Sequence, residues 1–150
     1  MAENLFIDST CVRAHQHAAG AAKTTGGQWQ QALGRSVGGL STKIHLGCLD
    51  EKNAIAVVLT GGEVADVTQF DAVFDKLPEN HDLKNGIMDK GYDSNPVRET
   101  LALNEMAAVI PPKVNRTEKI DFDEQLYKLR NKIERFINRI KQFRRIATRS

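Results

Sequence analysis

The sequence predicts an α/β fold, a mixed five-stranded sheet flanked by helices. Three observations predict it. Apolar or alternating runs of strand length stand at residues 5–7, 42–48, 54–59, 86–88 and 107–110. The second and third runs are separated only by the turn Asp50-Glu51-Lys52-Asn53, so they form a hairpin. After residue 60, stretches with helical spacing alternate with strands. A meander of three strands followed by alternating helices and strands gives a sheet of mixed direction, covered by helices.

Taken in order, Leu5-Phe6-Ile7 reads as a short buried strand that ends at Asp8. Residues 14–40 hold Gly20, Gly26, Gly27, Gly34, Gly38 and Gly39 among Ala and Gln, the composition of a long loop, functional or mobile. Thr42, Ile44, Leu46 and Cys48 alternate with Lys43, His45 and Gly47, as in a half-buried strand. Residues 54–59 form an apolar strand, broken by Thr60-Gly61-Gly62. Val67, Phe70, Phe74 and Leu77 have helical spacing, and Pro78 follows them. Gly86-Ile87-Met88 is a further strand, ending at Asp89. Ser94-Asn95-Pro96 opens a helix that runs to about Asn104, with Pro96 suited to the first turn. Ala107-Ala108-Val109-Ile110 is the last strand, stopped by Pro111-Pro112, and residues 113–119 make a basic loop. One long helix spans about 123–144.

A chain of 150 residues suits a single domain with its own core, and 41% apolar with 27% charged residues are globular values. No apolar run approaches the ~18 residues of a membrane span, and no signal peptide is recognisable. Cys11 and Cys48 form neither a disulfide framework nor a zinc spacing. The expected compartment is therefore reduced and cytoplasmic. Cys11 reads as a small packed side chain.

The net charge of +2 conceals an asymmetry. Residues 1–112 carry 9 Lys/Arg against 14 Asp/Glu, and residues 113–150 carry 12 against 5. Such a basic C-terminal part suits a phosphate-rich partner, although a solvated basic helix would look the same.

Within that part, Tyr127, Arg130, Glu134 and Lys141 fall within an arc of roughly 60° on a helix. Leu126, Leu129, Ile133, Phe136, Ile137, Ile140 and Phe143 form the neighbouring apolar stripe. A tyrosine, two cations and a carboxylate thus border the face that packs on the core, where a merely solvated helix would keep charges on the far side.

Three acids have unusual places. Asp8 and Asp89 each follow the apolar run of a strand, and Glu134 borders the apolar face of the long helix. Parallel neighbouring strands would set Asp8 beside Asp89 at the sheet edge where ligand sites gather. A helix laid across the sheet would bring Glu134 to the same point. Three such carboxylates repel one another and require a cation. Two Mg²⁺ or Mn²⁺ ions ~3.5–4 Å apart would serve, as in phosphodiester chemistry. Singly, each acid has a plainer use. An aspartate after a strand caps turns and helices, and Glu134 can pair with Arg130 at i−4. His15 and His17 are weak candidates for metal ligands on a loop. Trp29 is a loop anchor or a stacking platform for a base.

Together these residues resemble the DDE transposases of bacterial insertion sequences. Asp8-Ser9-Thr10, with residues 12–20 after it, is similar to that family's first-aspartate segment. Gly34-Arg35-Ser36 and residues 38–45 resemble the next segment. Asp89-Lys90-Gly91-Tyr92-Asp93-Ser94 is like the second-aspartate segment, and Val109-Ile110-Pro111-Pro112-Lys113 with Asn115-Arg116 follows it. The stripe matches the signature Y-x2-R-x3-E-x6-K in full and continues through residues 143–149. The likeness runs over essentially the whole chain.

It implies a ribonuclease-H-like fold and a catalytic, metal-binding triad of Asp8, Asp89 and Glu134 with two divalent ions. The implied reaction is strand cleavage at transposon ends and transfer of the freed 3′-hydroxyl into target DNA. Tyr127, Arg130, Lys141, Lys113, Arg116, Arg144 and Arg145 would contact DNA. The expected assembly is a homo-oligomer on DNA. The expectation for domain organisation is one catalytic domain over residues 1–150, lacking the family's N-terminal recognition segment and part of its C-terminus. In some relatives that segment is a separate reading frame, which makes a separately encoded recognition protein a further expected partner. Glu63 stands where family members often have glutamine. Two other functions fit the same residues: a truncated, inactive transposase that binds DNA or full-length subunits, and a metal-dependent nuclease that uses water alone.

Overall fold

A computed structural model describes residues 3–13 and 41–149 of the chain, with side chains for 3–12 and 41–140. Five strands form one sheet: β1 Asn4–Arg13, β2 Ser41–Cys48, β3 Ala54–Gly61, β4 Asn85–Ile87 and β5 Ala107–Val109. Their spatial order is β3-β2-β1-β4-β5. β1, β2 and β3 pair antiparallel, and β4 and β5 add parallel strands on the other side of β1. The sheet is mixed, as its sequence predicts.

The helices are α1 Phe70–Phe74, α2 Asn95–Leu103, α3 Glu124–Tyr127 and α4 Arg130–Arg149. Single 3-10 turns precede α1 at Asp66–Gln69 and follow β4 at Lys90–Tyr92. Ser94 caps α2 as its position suggests, accepting a bond from the Val97 N–H, with Pro96 in the first turn.

Alternation along β1 sorts the core into two layers. Leu5 and Ile7 join Phe70, Val73 and Leu77, together with Val97 and Leu101 of α2, on one face. Phe6, Ile44, Leu46, Cys48, Ile87 and Val109 face Ile133 and Ile137 of α4 on the other. Each fully buried Ile contributes roughly 1.5–3 kcal/mol relative to exposure, which holds the basic helix flat against the sheet. Arg139 adds an end tie, its Nη2 donating to the Glu51 carbonyl at 2.7 Å.

Three expectations need correction. β1 does not end at Asp8 but continues to Arg13, because β2 pairs with it as far as Arg13↔Ser41. Cys11 is exposed rather than packed, since this extension carries the strand past the apolar layers. The helix expected over 123–144 is two helices. Leu129, Asn131 and Lys132 donate to the carbonyls three residues before them, so the chain tightens at Lys128-Leu129. The long loop assigned to residues 14–40, with His15, His17 and Trp29, lies outside the described residues.

Candidate active site

Asp8 sits where β1 changes partners. Its parallel pairing with β4 is described through Phe6↔Ile87, while its antiparallel pairing with β2 continues with Asp8↔Leu46. Two residues beyond Phe6 and Ile87 are Asp8 and Asp89. Both therefore share the parity of those apolar residues and the sheet face that α4 covers.

Each aspartate divides its oxygens in the same way. Asp8 Oδ1 accepts the Ser9 N–H at 2.8 Å, and Asp89 Oδ1 accepts the Gly91 N–H at 2.8 Å. Asp89 is thus a cap of the 3-10 turn, the plainer use foreseen for it, without being only that. Gly91 is needed for this grip, because a Cβ there would stand 2.9 Å from Asp89 Oδ1.

The other oxygens converge on one side chain. Arg130 Nη2 lies 2.8 Å from Asp8 Oδ2 and 3.8 Å from Asp89 Oδ2. Its Nη1 lies 3.9 Å from Glu134 Oε1, the i,i+4 pair that helix spacing allows. Three acids from three separate elements therefore meet around one guanidinium. Among the described residues they do not form a ready-made metal cluster by themselves; they meet through the arginine.

Tyr127 holds that guanidinium from the helix side. The tightened turn after α3 approaches 3-10 geometry, in which residues i and i+3 eclipse. Arg130 Nη1 accordingly donates to Tyr127 Oη at 3.1 Å, and its Cζ lies 5.3 Å from the ring centroid. Phe122 braces the tyrosine edge-on, with centroids 5.6 Å apart.

The electrostatics follow from burial. Desolvation raises the Asp8 carboxyl above its ordinary pKa; Arg130 and the Ser9 N–H oppose this, and Asp89 adds to it. Burial also works against the Arg130 charge, but Asp8, Tyr127 and Asp89 outweigh it and raise the guanidinium's pKa. The ion pair therefore keeps Arg130 firmly charged without fully offsetting the burial of Asp8. Glu134 is the open side of the cluster, its side chain 56% exposed.

Over residues 2–150 the chain matches the family described as "Transposase DDE domain". It belongs to the transposase DDE domain family. A Brucella ovis protein named as a transposase for insertion sequence element IS6501 is 31% identical over 112 residues, covering 73% of this chain and 83% of that protein. No solved structure matches. The chain is thus a DDE insertion-sequence transposase domain, from a family that acts on DNA and generally uses divalent metal ions. Among the described residues no helix is long and apolar enough to cross a membrane.

Elsewhere the transposase domain carries a second charged centre that sequence reasoning missed. The Asp93 side chain is fully buried and accepts bonds from Arg98 Nε at 2.7 Å, the Lys113 N–H at 2.7 Å and Arg116 Nε at 2.8 Å. Arg98 Nη2 also donates to the Ile110 carbonyl at 3.0 Å, and Arg116 Nη2 to Asn95 Oδ1 at 2.9 Å. Burial alone would raise the Asp93 pKa, but the bonds from Arg116, Lys113 and Arg98 prevail and hold it far below the usual carboxylate range. This clasp ties the segment after Asp89 to the loop after β5. Arg116, expected at DNA, spends its Nε and Nη2 within it.

Lys113 is exposed on the same loop. Lys141, Arg144 and Arg145 lie along α4, with side chains outside the described residues. Tyr92 is buried under the site, its hydroxyl pKa raised by desolvation and then by Asp66, Asp8 and Asp89. Its place in Asp89-Lys90-Gly91-Tyr92-Asp93 is the signal that could have marked it.

Proposed function

We propose that this chain is a catalytic domain with a ribonuclease-H-like fold, in which Asp8, Asp89 and Glu134 bind divalent ions and promote DNA strand cleavage and strand transfer. The carrying observation is the convergence of Asp8 Oδ2, Asp89 Oδ2 and Glu134 Oε1 around one cationic side chain. The strand order with β1 central, antiparallel on one side and parallel on the other, supports the fold.

The donor set fits the ion. Carboxylate oxygens are the hard ligands that Mg²⁺ and Mn²⁺ prefer, and a site able to hold a guanidinium among three acids already favours positive charge. When bound, such ions stabilise the attacking and leaving oxygens of an in-line phosphoryl displacement. The protein's own part is to fix the carboxylates. The Ser9 and Gly91 N–H groups stop Asp8 and Asp89 from turning, and Ile133 seats the helix that carries Glu134. Lys113, Lys141, Arg144 and Arg145 grip the DNA backbone as phosphate contacts, and Arg116 supports the loop that carries Lys113.

Asp89→Asn is expected to abolish Mg²⁺-dependent cleavage of a DNA duplex while leaving DNA affinity nearly intact. Equal cleavage by the wild type and the variant would rule out the triad.

A further inference from the structure

Arg130 already performs, within the chain, the work of a cation between these acids. Three formal negative charges surround one positive charge, at 2.8, 3.8 and 3.9 Å. The cluster is held together but not neutralised, so it still attracts a divalent ion. That ion would need the same oxygens, since Oδ2 of Asp8 and of Asp89 are the atoms on Arg130 while both Oδ1 atoms are engaged by backbone N–H groups. The arginine also has a partner besides the acids, because the Tyr127 hydroxyl and ring face contact the same guanidinium from the helix side.

We propose that Arg130 is a built-in counter-cation of the metal site. It keeps the three carboxylates assembled in the metal-free protein and competes with divalent ions for their oxygens. Once released, it is free to bind a DNA phosphate, so that metal and DNA bind cooperatively through it. This rests on the metal-binding role proposed above for Asp8, Asp89 and Glu134. A guanidinium cannot serve the carboxylates and a phosphate at full strength at once, so a DNA phosphate that draws it off the acids must ease metal binding there, and by linkage a bound metal must ease its contact with DNA.

The test is Mn²⁺ binding by calorimetry, with and without a short DNA duplex, on the full chain and its variants. Arg130→Gln removes the competitor, and Mn²⁺ affinity is expected to rise at least about fivefold. Tyr127→Phe keeps the ring but removes the hydroxyl seat, leaving the competitor on the acids, so DNA is expected to enhance Mn²⁺ affinity less than in the wild type. Arg130→Lys keeps one cation but not the fork that spans the three acids, so its Mn²⁺ affinity should fall between those of the wild type and Arg130→Gln. Duplex DNA should raise Mn²⁺ affinity in the wild type, and this gain should vanish in Arg130→Gln. Should Arg130→Gln fail to fold, the Tyr127→Phe comparison decides.

Unchanged or weaker Mn²⁺ binding in a folded Arg130→Gln protein, with binding still lost in Asp8→Asn, would overturn the competition and leave the metal site standing. Arg130 would then be an orienting ion pair. A DNA effect as large in Tyr127→Phe as in the wild type would also overturn it. No Mn²⁺ binding by any form would overturn both the metal site and the role given to Arg130.

Discussion

Asp89 and Asp93 share one short segment and use the same chemical group to opposite ends. Asp89 keeps Oδ2 toward the site and remains 34% exposed, whereas Asp93 is sealed under two arginines and a backbone N–H. Because the folded pKa of Asp93 is depressed, its stabilisation is complete above the ordinary carboxylate value of about 3.9 and is lost as pH falls from there toward the folded value. Asp93→Asn should cost about 3 kcal/mol at neutral pH, by urea denaturation, and flatten the acid-side loss of stability. A variant as stable as the wild type would show the clasp to be idle. At Gly91 the expected effect is on binding. Gly91→Ala crowds Asp89 Oδ1 and should weaken Mn²⁺ binding about tenfold with the fold intact. The acids at 8, 89 and 134 were legible because each closes or borders an apolar pattern and together they match a family signature. Asp93 was not legible. It precedes a Ser-Asn-Pro helix start, where an acid reads as a cap, and Arg116 lies 23 residues away with no periodic relation to it.

Hydrophobic period located all five strands, and it failed where two periods agree. Leu126, Leu129 and Ile133 satisfy both a continuous α-helix and the tighter turn between α3 and α4, so the break was invisible although it aligns Tyr127 with Arg130. The far half of β1 was missed for another reason. Asp8-Ser9-Thr10-Cys11 has no strand signature of its own, and its extension depends on β2. α4 depends on few anchors. Ile133→Ala should cost about 3 kcal/mol through the cavity it leaves, and it should loosen Glu134 with the helix, which a drop in both Tm and Mn²⁺ affinity would report. Along the same helix, replacing Lys141, Arg144 and Arg145 by Gln should lower the salt slope of DNA affinity by about 0.9 for each residue that meets a phosphate. An unchanged slope would move the DNA surface elsewhere.

The whole molecule places its acid-rich sheet segment under a basic helix, an arrangement that the charge asymmetry between residues 1–112 and 113–150 foreshadowed. Its stability should fall on acidification in two windows. His45 is fully buried, with Nε2 2.8 Å from Thr60 Oγ1, and burial lowers its pKa. Its neutral form stabilises the fold above pH about 6.5, and that stabilisation drains away as pH falls through the lowered value. Asp93 gives way only further down. Thermal unfolding followed from pH 7 to about 2 should show the first decline and the onset of the second, and His45→Gln should remove the first. A flat profile between pH 7 and 5 would exclude the histidine as its source.

Asp8 and Arg130 meet across 122 residues of chain, so β1 is completed by α4. A polypeptide leaving the ribosome exposes Asp8 and Asp89 well before Arg130 and Glu134 exist to join them. On the catalytic reading, competence to cut DNA therefore waits until α4 has been made and docked on the sheet, and a molecule whose α4 has melted away cannot cut.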